Sequence, residues 1–595
     1  MKKLSVLIFS TVASGVVFAF SNLVFKADIS AFAFPLSILF CASLAYFSIV
    51  RLLKMDEPEK IPLCRKLYQY LPFVLLVAFV FRRAGEKGTS HWFDWFSVLV
   101  WLAAAVLSVV VQYFLNEKRL AVINPEWADS LEAYTKNKPK GFRRVTKEVF
   151  EWVDAFIQAA FTVALLNIFI IQLYEIPSES MVPEFLVRDR VVVFKTASGP
   201  RFPLSDVGLP RLRSYDRGDI VVFRNPHYSK DRKSEVRTFV SQLVYTLTFT
   251  MVNLNVDEQG NLKADPLVKR VCGLPGEQLM MQDGVLYART AYSSEFMPVT
   301  QDALWAEWNV AELPKDILSK VRDVPLPEDV YKSMIECENL RNSLDYSLCR
   351  KEAEELAERF TALRWELYGK ETVSQVPKML SSADLFEYFL FAGNEDITRK
   401  LLSVDGGSLW LKDFLTSWVD SVPGQVFTDS SFLVGGDLYS DSNFRLNLMI
   451  KLAFARLVVR NAELMSQGVS VTNWKLDKQR VEYMSQAEML HNYTLLLDGR
   501  NMPVFPANAA DGSAQYIPSN CYFMMGDNRF NSLDMRHSYD SRLVPLTEYD
   551  EYSARYYSKM SPQFIPAKDM LGTTVLRFWP WSRRGVPGVT GKTKN

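Results

Sequence analysis

The feature that most constrains this chain is a set of long apolar runs within residues 1–173. A helix needs about 20 mostly apolar residues to cross a bilayer. Five runs approach or meet this length, and they are Leu4–Phe25, Ala31–Val50, Leu67–Phe81, Trp92–Leu115 and Ala155–Leu173. The third run is the shortest, so its length leaves open whether it crosses. We predict about five transmembrane helices, of which the first is a retained anchor and not a cleaved targeting peptide.

Lysines and arginines between these runs predict how the helices are oriented. They are concentrated at the N-terminus, between the second and third runs, and between the fourth and fifth runs. Cytoplasmic loops of membrane proteins carry an excess of these residues. We therefore expect a cytoplasmic N-terminus, and we expect everything after Leu173 to lie on the extracytoplasmic side.

Composition excludes several classes of protein. The chain is 49% hydrophobic, which argues against disorder, and its formal net charge of +1 gives no sign of a nucleic-acid partner. Its six cysteines lack zinc-ligand spacing, and its four histidines leave little material for a histidine-based site. We expect no metal and no organic cofactor. Whether Cys337 and Cys349 form a disulfide is left open by the sequence.

Four segments after the last apolar run place turn residues beside strand-like apolar stretches. They are Tyr174–Pro183, Arg217–Pro226, Val268–Glu277 and Tyr522–Arg536. Ser178 and Ser180 lie in a proline-bounded loop, and Lys269 lies in an apolar strand. A serine hydroxyl needs an adjacent base to act as a nucleophile, and burial lowers the pKa of a lysine until it can serve as one. Taken singly, solvated turn serines and a surface lysine explain the same residues.

In this order, directly after a membrane anchor, the four segments resemble the soluble-domain boxes of the bacterial type I signal peptidases. These enzymes, also called leader peptidases, are serine peptidases with a Ser-Lys dyad. The resemblance covers roughly residues 170–280 and 515–585. It implies that Ser180 is the nucleophile and that Lys269 is the general base. It also implies that Ser178 helps to hold the oxyanion, together with the backbone N–H of Ser180.

The last segment matches polar residues that order the site in this family. By resemblance, Ser532 positions the lysine amine. Four charged residues are expected to order the site without taking part in the chemistry, and they are Asp527, Arg529, Asp534 and Arg536. An ordinary cluster of buried ion pairs would explain these four residues equally well.

The chain departs from the family pattern at a few positions, namely Glu179, Glu184, Arg188, Phe530 and Met535. The first three crowd and recharge the nucleophile segment, which leaves the substrate preference near the cleavage point open. A Ser-His-Asp triad is the competing mechanism, with His537 as its histidine. We interpret His537 as a surface-loop residue.

The predicted fold class is a polytopic α-helical membrane region plus a mainly β, signal-peptidase-like catalytic core with a large helical insertion. The expected boundaries are 1–173 for the membrane region, 174–277 for the first part of the core, 278–514 for the insertion, and 515–595 for the second part of the core with a C-terminal tail. Helical periodicity within the insertion supports this division. The insertion either packs on its own core or docks a substrate or partner, whose identity the sequence does not give.

The resemblance implies a serine endopeptidase that removes N-terminal signal peptides during protein secretion. It would act in a bacterial cytoplasmic (inner) membrane with its catalytic domain on the outer face, and its partners would be exported preproteins and membrane lipid. The aromatic and cationic segment Arg577–Arg584 either contacts the headgroup layer or ends a core strand. Two alternatives stay open: a Ser-Lys peptidase dedicated to one substrate, and a catalytically silent relative that binds precursors or assists assembly.

Overall fold

The structure, a computed structural model, describes residues 1–23, 29–85, 89–136, 142–228, 231–248, 251–256, 263–421 and 438–588. Its N-terminal part is a helical bundle. The helices are α1 Lys2–Ser21, α2 Ala33–Ala45, α3 Ile61–Gly85, α4 His91–Phe114, α5 Glu117–Ile123, α6 Pro125–Lys136 and α7 Phe142–Phe169, and a π-helical stretch, Tyr46–Lys54, prolongs α2. Five helical stretches of the described chain are long and apolar enough to cross a membrane: Lys2–Ser21, Ile29–Lys54, Pro58–Gly85, His91–Phe114 and Arg144–Phe169.

Two of these helices differ from the apolar runs that predicted them. Helix α3 has 25 residues and is therefore about 37 Å long, which exceeds the roughly 30 Å hydrocarbon core of a bilayer. Helix α7 ends at Phe169, and Ile171 begins a β-strand. An apolar run fits a buried strand as well as a helix, so the sequence placed this boundary too late. Phe25, the expected end of the first run, lies outside the described residues.

Polar contacts tie the helices together at the two ends of the bundle. At one end Arg82 of α3 donates to Asp94 of α4 and lies within hydrogen-bonding distance of the Ser21 carbonyl of α1. At the other end the Trp127 indole of α6 donates to Asp56, which follows α2. The ends of α1 and α3 therefore lie beside the start of α4, as expected for helices that alternate in direction through one layer.

The part of the chain after the bundle contributes thirteen strands within the described residues. They are β1 Ile171–Glu175, β2 Arg190–Phe194, β3 Ile220–Phe223, β4 Leu267–Gly273, β5 Glu277–Gln282, β6 Val285–Thr290, β7 Ser293–Pro298, β8 Met502–Phe505, β9 Cys521–Met525, β10 His537–Pro545, β11 Arg555–Met560, β12 Ile565–Pro566 and β13 Met570–Trp579. Short runs of valine, isoleucine and phenylalanine dominate the innermost strands, in keeping with the preference of such side chains for a pleated, buried surface.

The largest sheet has the order β1-β2-β13-β3-β4-β9-β12, and all of its neighbouring strands are antiparallel. A second sheet has the order β7-β6-β5-β8, and β10 and β11 form a separate hairpin. The large sheet joins strands from before and after the insertion, because β4 pairs with β9. Two sequence segments about 250 residues apart thereby meet in one catalytic core.

Two further parts complete the fold. One is a helix that connects two strands of the large sheet, and the other is a helical domain. Helix α8, Arg232–Leu247, connects β3 to β4. A short helix, α9 Lys315–Leu318, precedes the helical domain. The domain contains α10 Glu328–Asn342, α11 Tyr346–Tyr368, α12 Glu387–Ala392, α13 Asn394–Ser403, α14 Gly407–Thr416, α15 Trp418–Ser421, α16 Leu438–Ser466, α17 Val471–Trp474 and α18 Lys478–Arg500. Helix α16 is buried along most of its length and forms the centre of this domain.

The helical domain is continuous with the catalytic core. The segment 278–514, predicted as a largely helical insertion, begins with the strands of the second sheet and includes β8 near its end. The domain's apolar cluster also includes Leu546 and Tyr556, from around the β10–β11 hairpin. Cys337 and Cys349 both lie in this cluster, and all six cysteines are free thiols. The predicted fold class, membrane-type helices joined to a β core, is confirmed.

Candidate active site

Ser180 lies in the loop between β1 and β2, immediately after the chain leaves the helical bundle. Backbone hydrogen bonds close the base of this loop, from Ile176 N to Asp189 O (2.8 Å) and from Arg188 N to Ile176 O (2.8 Å). The side chains of Met181 and Phe185 are buried beneath it in the apolar layer of the sheet. The loop therefore holds Ser180 in a fixed position over the sheet.

Lys269 lies on β4, opposite Val221 of β3. Its side chain reaches residues 176–189, which we call the nucleophile loop after the predicted role of Ser180. The Nζ atom of Lys269 donates a hydrogen bond to Ser180 Oγ. The lysine is only 3% exposed. Burial lowers the pKa of Lys269 to about 8, although the carboxylates of Asp534 and Asp527 act in the opposite direction. The amine is thus poised to lose its proton near neutral pH while in contact with a serine hydroxyl.

The side chain of Ser178 lies on the exposed side of the same loop. Its Oγ is 3.3 Å from Ser180 Oγ. The backbone N–H of Ser180 donates to no acceptor in the part of the chain that the structure describes. A hydroxyl and an unused amide therefore lie beside the Ser180 hydroxyl, which is the arrangement that oxyanion stabilisation requires.

Ser532 is buried beside the nucleophile loop. Its Oγ has no hydrogen-bond partner within the described ranges, and no bond joins it to Lys269. Gly526 separates it from the loop: a Cβ atom at Gly526 would clash with both Ser532 Oγ and the Ser180 carbonyl. Only glycine fits this contact. The positioning role of Ser532 stays a prediction, which an unpaired hydroxyl next to the dyad supports.

Asp527 makes a buried ion pair with the residue that follows the lysine. The Arg270 guanidinium donates to both carboxylate oxygens of Asp527, at 2.8 and 2.6 Å. Two parallel charge-assisted bonds fix the orientation of both side chains. Since Arg270 lies on β4 and Asp527 follows β9, the pair joins the two strands next to Lys269.

The other charged residues of the last segment also form buried pairs. Arg536 donates to Asp534, and Asp534 accepts the backbone N–H of Gly526 at 2.9 Å. Burial raises the pKa of the Asp534 carboxyl, but the Arg536 guanidinium and these hydrogen bonds outweigh it and hold the pKa well below its usual range. Arg529 donates to Asp302 at 2.6 Å. None of these side chains makes a described bond to Ser180, so their contacts support an ordering role.

Residues 302–323, which we call the strap, connect the second sheet to the helical domain and cover the nucleophile loop. The carboxylate of Glu179 accepts the backbone N–H groups of Arg322 (2.6 Å) and Asp323 (3.0 Å). Val182 and Leu186 of the loop form a small apolar cluster with strap residues, namely Val310, Leu313, Ile317, Leu318 and Val321. The sequence showed Glu179 only as a departure from the family pattern. Its partner lies 143 residues away and was not predictable.

The strap also contacts the last segment. Glu307 N donates to Asp527 O at 2.7 Å, and Arg529 N donates to Glu307 O at 3.0 Å, so this part of the strap runs parallel to residues 527–529. Asp302, the partner of Arg529, belongs to the strap as well. The strap is therefore part of the catalytic core and borders the dyad on two sides.

Two further departures from the family pattern have structural consequences. Arg188, in the place of a glycine, has a left-handed backbone conformation with φ of 71°. Glu184 is buried between Arg270 (3.7 Å) and Arg577 (3.6 Å). Burial raises the pKa of the Glu184 carboxyl, and the Arg270 guanidinium opposes this shift. No hydrogen bond connects either side chain to Ser180 within the described residues.

His537 is buried, so the interpretation of this residue as a surface-loop histidine was wrong. It begins β10, its Nδ1 lies 4.0 Å from Asp534, and its Nε2 lies 3.1 Å from the Asp498 carbonyl. Burial lowers its pKa. No bond connects it to Ser180 in the described chain, which disfavours the triad alternative. The described residues also contain no cluster of three or more histidine, cysteine or carboxylate side chains suited to a metal ion.

Known proteins share the sequence of this core. A profile of the family described as "Signal peptidase, peptidase S26" matches residues 149–330 and 455–579, just over half of the chain. The match extends beyond the two regions of resemblance found from the sequence. It includes the strap and all of α18, and leaves residues 331–454 of the helical domain unmatched.

Individual relatives support the same assignment. "Signal peptidase I" of Pseudomonas aeruginosa is 26% identical over 246 residues, covering 37% of this chain and 86% of the relative. "Signal peptidase I" of Buchnera aphidicola subsp. Acyrthosiphon pisum is 24% identical over 251 residues, covering 41% of this chain and 65% of the relative. With its apolar helices, the protein is membrane-associated. The chain belongs to the signal peptidase family, peptidase S26.

Proposed function

We propose that this protein removes N-terminal signal peptides from exported preproteins, with Ser180 as nucleophile and Lys269 as general base. The observation that supports this most directly is the hydrogen bond between Lys269 Nζ and Ser180 Oγ in a buried setting. Burial supplies the lowered pKa that a lysine base needs. The family and the names of its relatives supply the substrate class.

The first chemical step forms an acyl-enzyme. Neutral Lys269 accepts the proton of the Ser180 hydroxyl as Oγ attacks the scissile carbonyl carbon. The carbonyl oxygen becomes an oxyanion, which accepts hydrogen bonds from the Ser180 amide and the Ser178 hydroxyl. The Lys269 ammonium then gives its proton to the leaving amine, and the new N-terminus of the mature protein departs.

The second step hydrolyses the acyl-enzyme. Neutral Lys269 accepts a proton from a water molecule, whose oxygen attacks the ester carbon bonded to Ser180 Oγ. The tetrahedral intermediate collapses, Oγ recovers a proton from the ammonium, and the signal peptide leaves with a carboxylate end. Small residues before the cut are expected by resemblance, since they fit shallow pockets beside the serine.

We place the catalytic core on the extracytoplasmic side of a bacterial inner membrane, above a multi-pass bundle. Contacts at one end of the bundle support this orientation. Arg83 of α3 donates to the Leu204 carbonyl, and Ser205 donates to Asp94 of α4, so the core rests on the end where α3 finishes. The described cation-rich stretches, at residues 2–3, 51–66 and 118–119, lie at the opposite ends of the helices, as the cytoplasmic side requires.

The C-terminal aromatic segment supports contact with lipid. Arg577 is buried and donates to the Glu184 carbonyl, whereas Trp579 and Trp581 are 53% and 67% exposed. The segment is thus both a strand end and an exposed aromatic edge. Tryptophan favours the headgroup layer, so we propose that this edge, at the nucleophile-loop end of β13, contacts lipid.

Cleavage of a model precursor by the purified full-length protein in detergent tests the proposal. Ser180→Ala and Lys269→Ala are each expected to lower kcat by at least about a thousandfold. Ser343→Ala and Lys351→Ala, on the exposed surface of the helical domain, are the matched controls and should cleave at the parent rate. An inert parent protein would favour the silent relative, and cleavage by Lys269→Ala close to the parent rate would exclude the dyad.

The pH dependence provides a second test. Only the neutral amine of Lys269 can accept a proton, and burial lowers its pKa to about 8. The rate should therefore rise about tenfold per pH unit below pH 8 and level off above it. A profile that is flat between pH 6 and 9 would contradict the assignment of the base.

A further inference from the structure

A cavity of about 140 Å³ lies on the far side of the core from the dyad. It is lined by the end of α7, by Gln172 of β1, by Lys195 just after β2, by residues 199–204, by α8 and by the start of β13. The β1–β2 register pairs Ile171 with Phe194 at this end, whereas the nucleophile loop leaves the opposite end of the strand pair. None of the dyad or oxyanion residues lines the cavity.

The contacts of helix α8 show where this cavity lies along the long axis of the bundle. At its first turn, Arg232 donates to the Leu204 carbonyl, which also accepts a hydrogen bond from Arg83 at the end of α3. At its last turn, Thr246 accepts a hydrogen bond from Asn167 near the end of α7. Helix α8 is therefore attached near the end of α3 at its start and near the end of α7 at its end, so it lies across the end of the bundle that faces the core. The cavity beneath it is therefore at the level where the apolar helices end.

The charged residues that line the cavity are predominantly cationic. Four basic side chains line the cavity, namely Lys195, Arg201, Arg224 and Lys568. Two acidic side chains line it, namely Glu235 and Asp265. Lys195 Nζ donates to the Asn167 carbonyl (2.9 Å) and to Gln172 Oε1 (3.0 Å), both neutral acceptors. No carboxylate of the described residues pairs with it. Burial and the nearby Arg224 lower the pKa of Lys195 to about 8, so its ammonium is mainly charged at pH 7.

Apolar side chains continue from the cavity along α8. Phe239 and Leu243 line the cavity, and Val240 and Leu247 on the same helix are 46% and 45% exposed. Met251, just beyond the helix, is 80% exposed. The exposed apolar edge and the cationic cavity therefore lie side by side, at the level where the membrane-spanning helices end. A phospholipid has the same two parts, because its acyl chains are apolar and its phosphate is anionic.

We propose that this cavity binds the phosphate of an outer-leaflet phospholipid headgroup, with Lys195 and Arg224 as its cationic ligands and the acyl chains lying along α8. A phosphodiester whose headgroup carries no cation, as in phosphatidylglycerol, would give Lys195 the anionic partner that it lacks. Phosphatidylcholine neutralises its own phosphate with its choline and therefore serves as the reference lipid. The inference rests on the proposed placement of the bundle in a membrane and not on the peptidase reaction. It can be tested on catalytically inactive protein, so its failure and that of the proposed reaction are separable.

The experiment uses the full-length Ser180→Ala protein in nanodiscs of phosphatidylcholine, with or without phosphatidylglycerol. Thermal unfolding and native mass spectrometry report stabilisation and the number of retained lipids. Phosphatidylglycerol should raise the Tm of the parent, because a ligand that binds only the folded state stabilises it. Lys195→Gln and Arg224→Gln should each lose this rise and the retained lipid, while Lys195→Arg should keep both.

Control variants distinguish a specific lipid-binding site from a general effect of positive surface charge. Lys351→Gln removes one cation from the exposed surface of the helical domain and should respond to phosphatidylglycerol like the parent. The Arg224 side chain is nearly half exposed, so Arg224→Gln keeps the test valid if Lys195→Gln fails to fold. A rise in Tm that persists in both glutamine variants would overturn the proposal. An equal rise with inorganic phosphate in phosphatidylcholine alone would assign the cavity to a free anion and overturn the lipid assignment.

Discussion

At the scale of single residues, Lys269 is a lysine placed where its positive charge is unfavourable. Lys269 is 3% exposed, and burial lowers its pKa from 10.5 to about 8. A shift of this size corresponds to about 3 kcal/mol of unfavourable free energy for burying the ammonium. We expect Lys269→Met to raise the free energy of unfolding by up to about 3 kcal/mol at pH 6 to 7 while abolishing cleavage, as measured by thermal unfolding and precursor assay.

The number of protons bound by the folded and unfolded chains determines how Lys269 makes the stability depend on pH. Between pH 8 and 10.5 the unfolded chain binds a proton at Lys269 that the folded chain has lost, so the stability of the parent rises with pH in that window. The advantage of Lys269→Met should therefore be full below pH 8 and shrink as the pH rises towards 10. Lys351→Met, at an exposed position, is the control and should show no such dependence. A pH-independent difference would mean that packing and not charge is responsible.

A second residue-scale prediction concerns Arg188. Its φ of 71° is in the left-handed region, which costs a side-chain-bearing residue about 1–2 kcal/mol relative to the right-handed one. Glycine adopts this conformation freely. We expect Arg188→Gly to stabilise the protein by about 1 kcal/mol in thermal unfolding. Arg188→Ala keeps the Cβ atom and should give no gain, so equal effects of the two substitutions would refute the backbone explanation.

At the scale of elements, the strap connects the helical domain to the nucleophile loop through Glu179. Both N–H groups at Arg322 and Asp323 donate to its carboxylate, and Ser180 is the next residue. We expect Glu179→Ala to loosen the strap and lower kcat/KM about ten- to a hundredfold, since small misplacements of catalytic groups carry costs of this order. Steady-state kinetics on a model precursor measures the effect.

Hydrogen exchange distinguishes this explanation from damage to the dyad itself. Peptides covering the strap should exchange faster in Glu179→Ala, while the alkaline rise of the rate should stay at the same pH because Lys269 is untouched. Glu328→Ala, on the exposed face of α10, is the matched control and should leave both quantities unchanged. A shifted pH profile without faster exchange in the strap would contradict the proposed role.

At the scale of the whole molecule, one buried ion pair joins the helical domain to the second part of the core. Lys451 of α16 and Asp550, between β10 and β11, are 1% and 0% exposed and 2.5 Å apart. Removing one partner of such a pair costs about 3–5 kcal/mol. We expect Lys451→Met to lower the midpoint of unfolding for helical signal and for cleavage activity together, because the two parts fold as one unit.

The matched experiment removes both charges. Lys451→Met combined with Asp550→Asn leaves no unpaired buried charge, so it should recover part of the lost stability. Two separate unfolding transitions in the single variant, one for the helical domain and one for activity, would show that the domains are thermodynamically independent.

The sequence determined the elements whose physical signal is local. Apolar runs of bilayer length predicted the helices of the bundle, and turn residues beside β-rich stretches predicted the segments that carry Ser180 and Lys269. Such patterns are readable because each depends only on near neighbours in the chain. The end of α7 was misplaced for the same reason: Ile171 to Leu173 are apolar in a helix or in a strand, and only pairing with β2 decides between them.

Only the tertiary structure decided which distant residues meet. The burial of Lys269, the contact of Glu179 with the strap, the buried position of His537 and the cationic cavity around Lys195 all depend on neighbours far away in the sequence. Burial and charge are properties of a three-dimensional neighbourhood, and a lysine or glutamate looks the same in the sequence whether its partner is water or a distant backbone N–H. The sequence therefore determined the helices and the chemical groups of this protein, and the fold decided the pKa values, the partners and the surfaces.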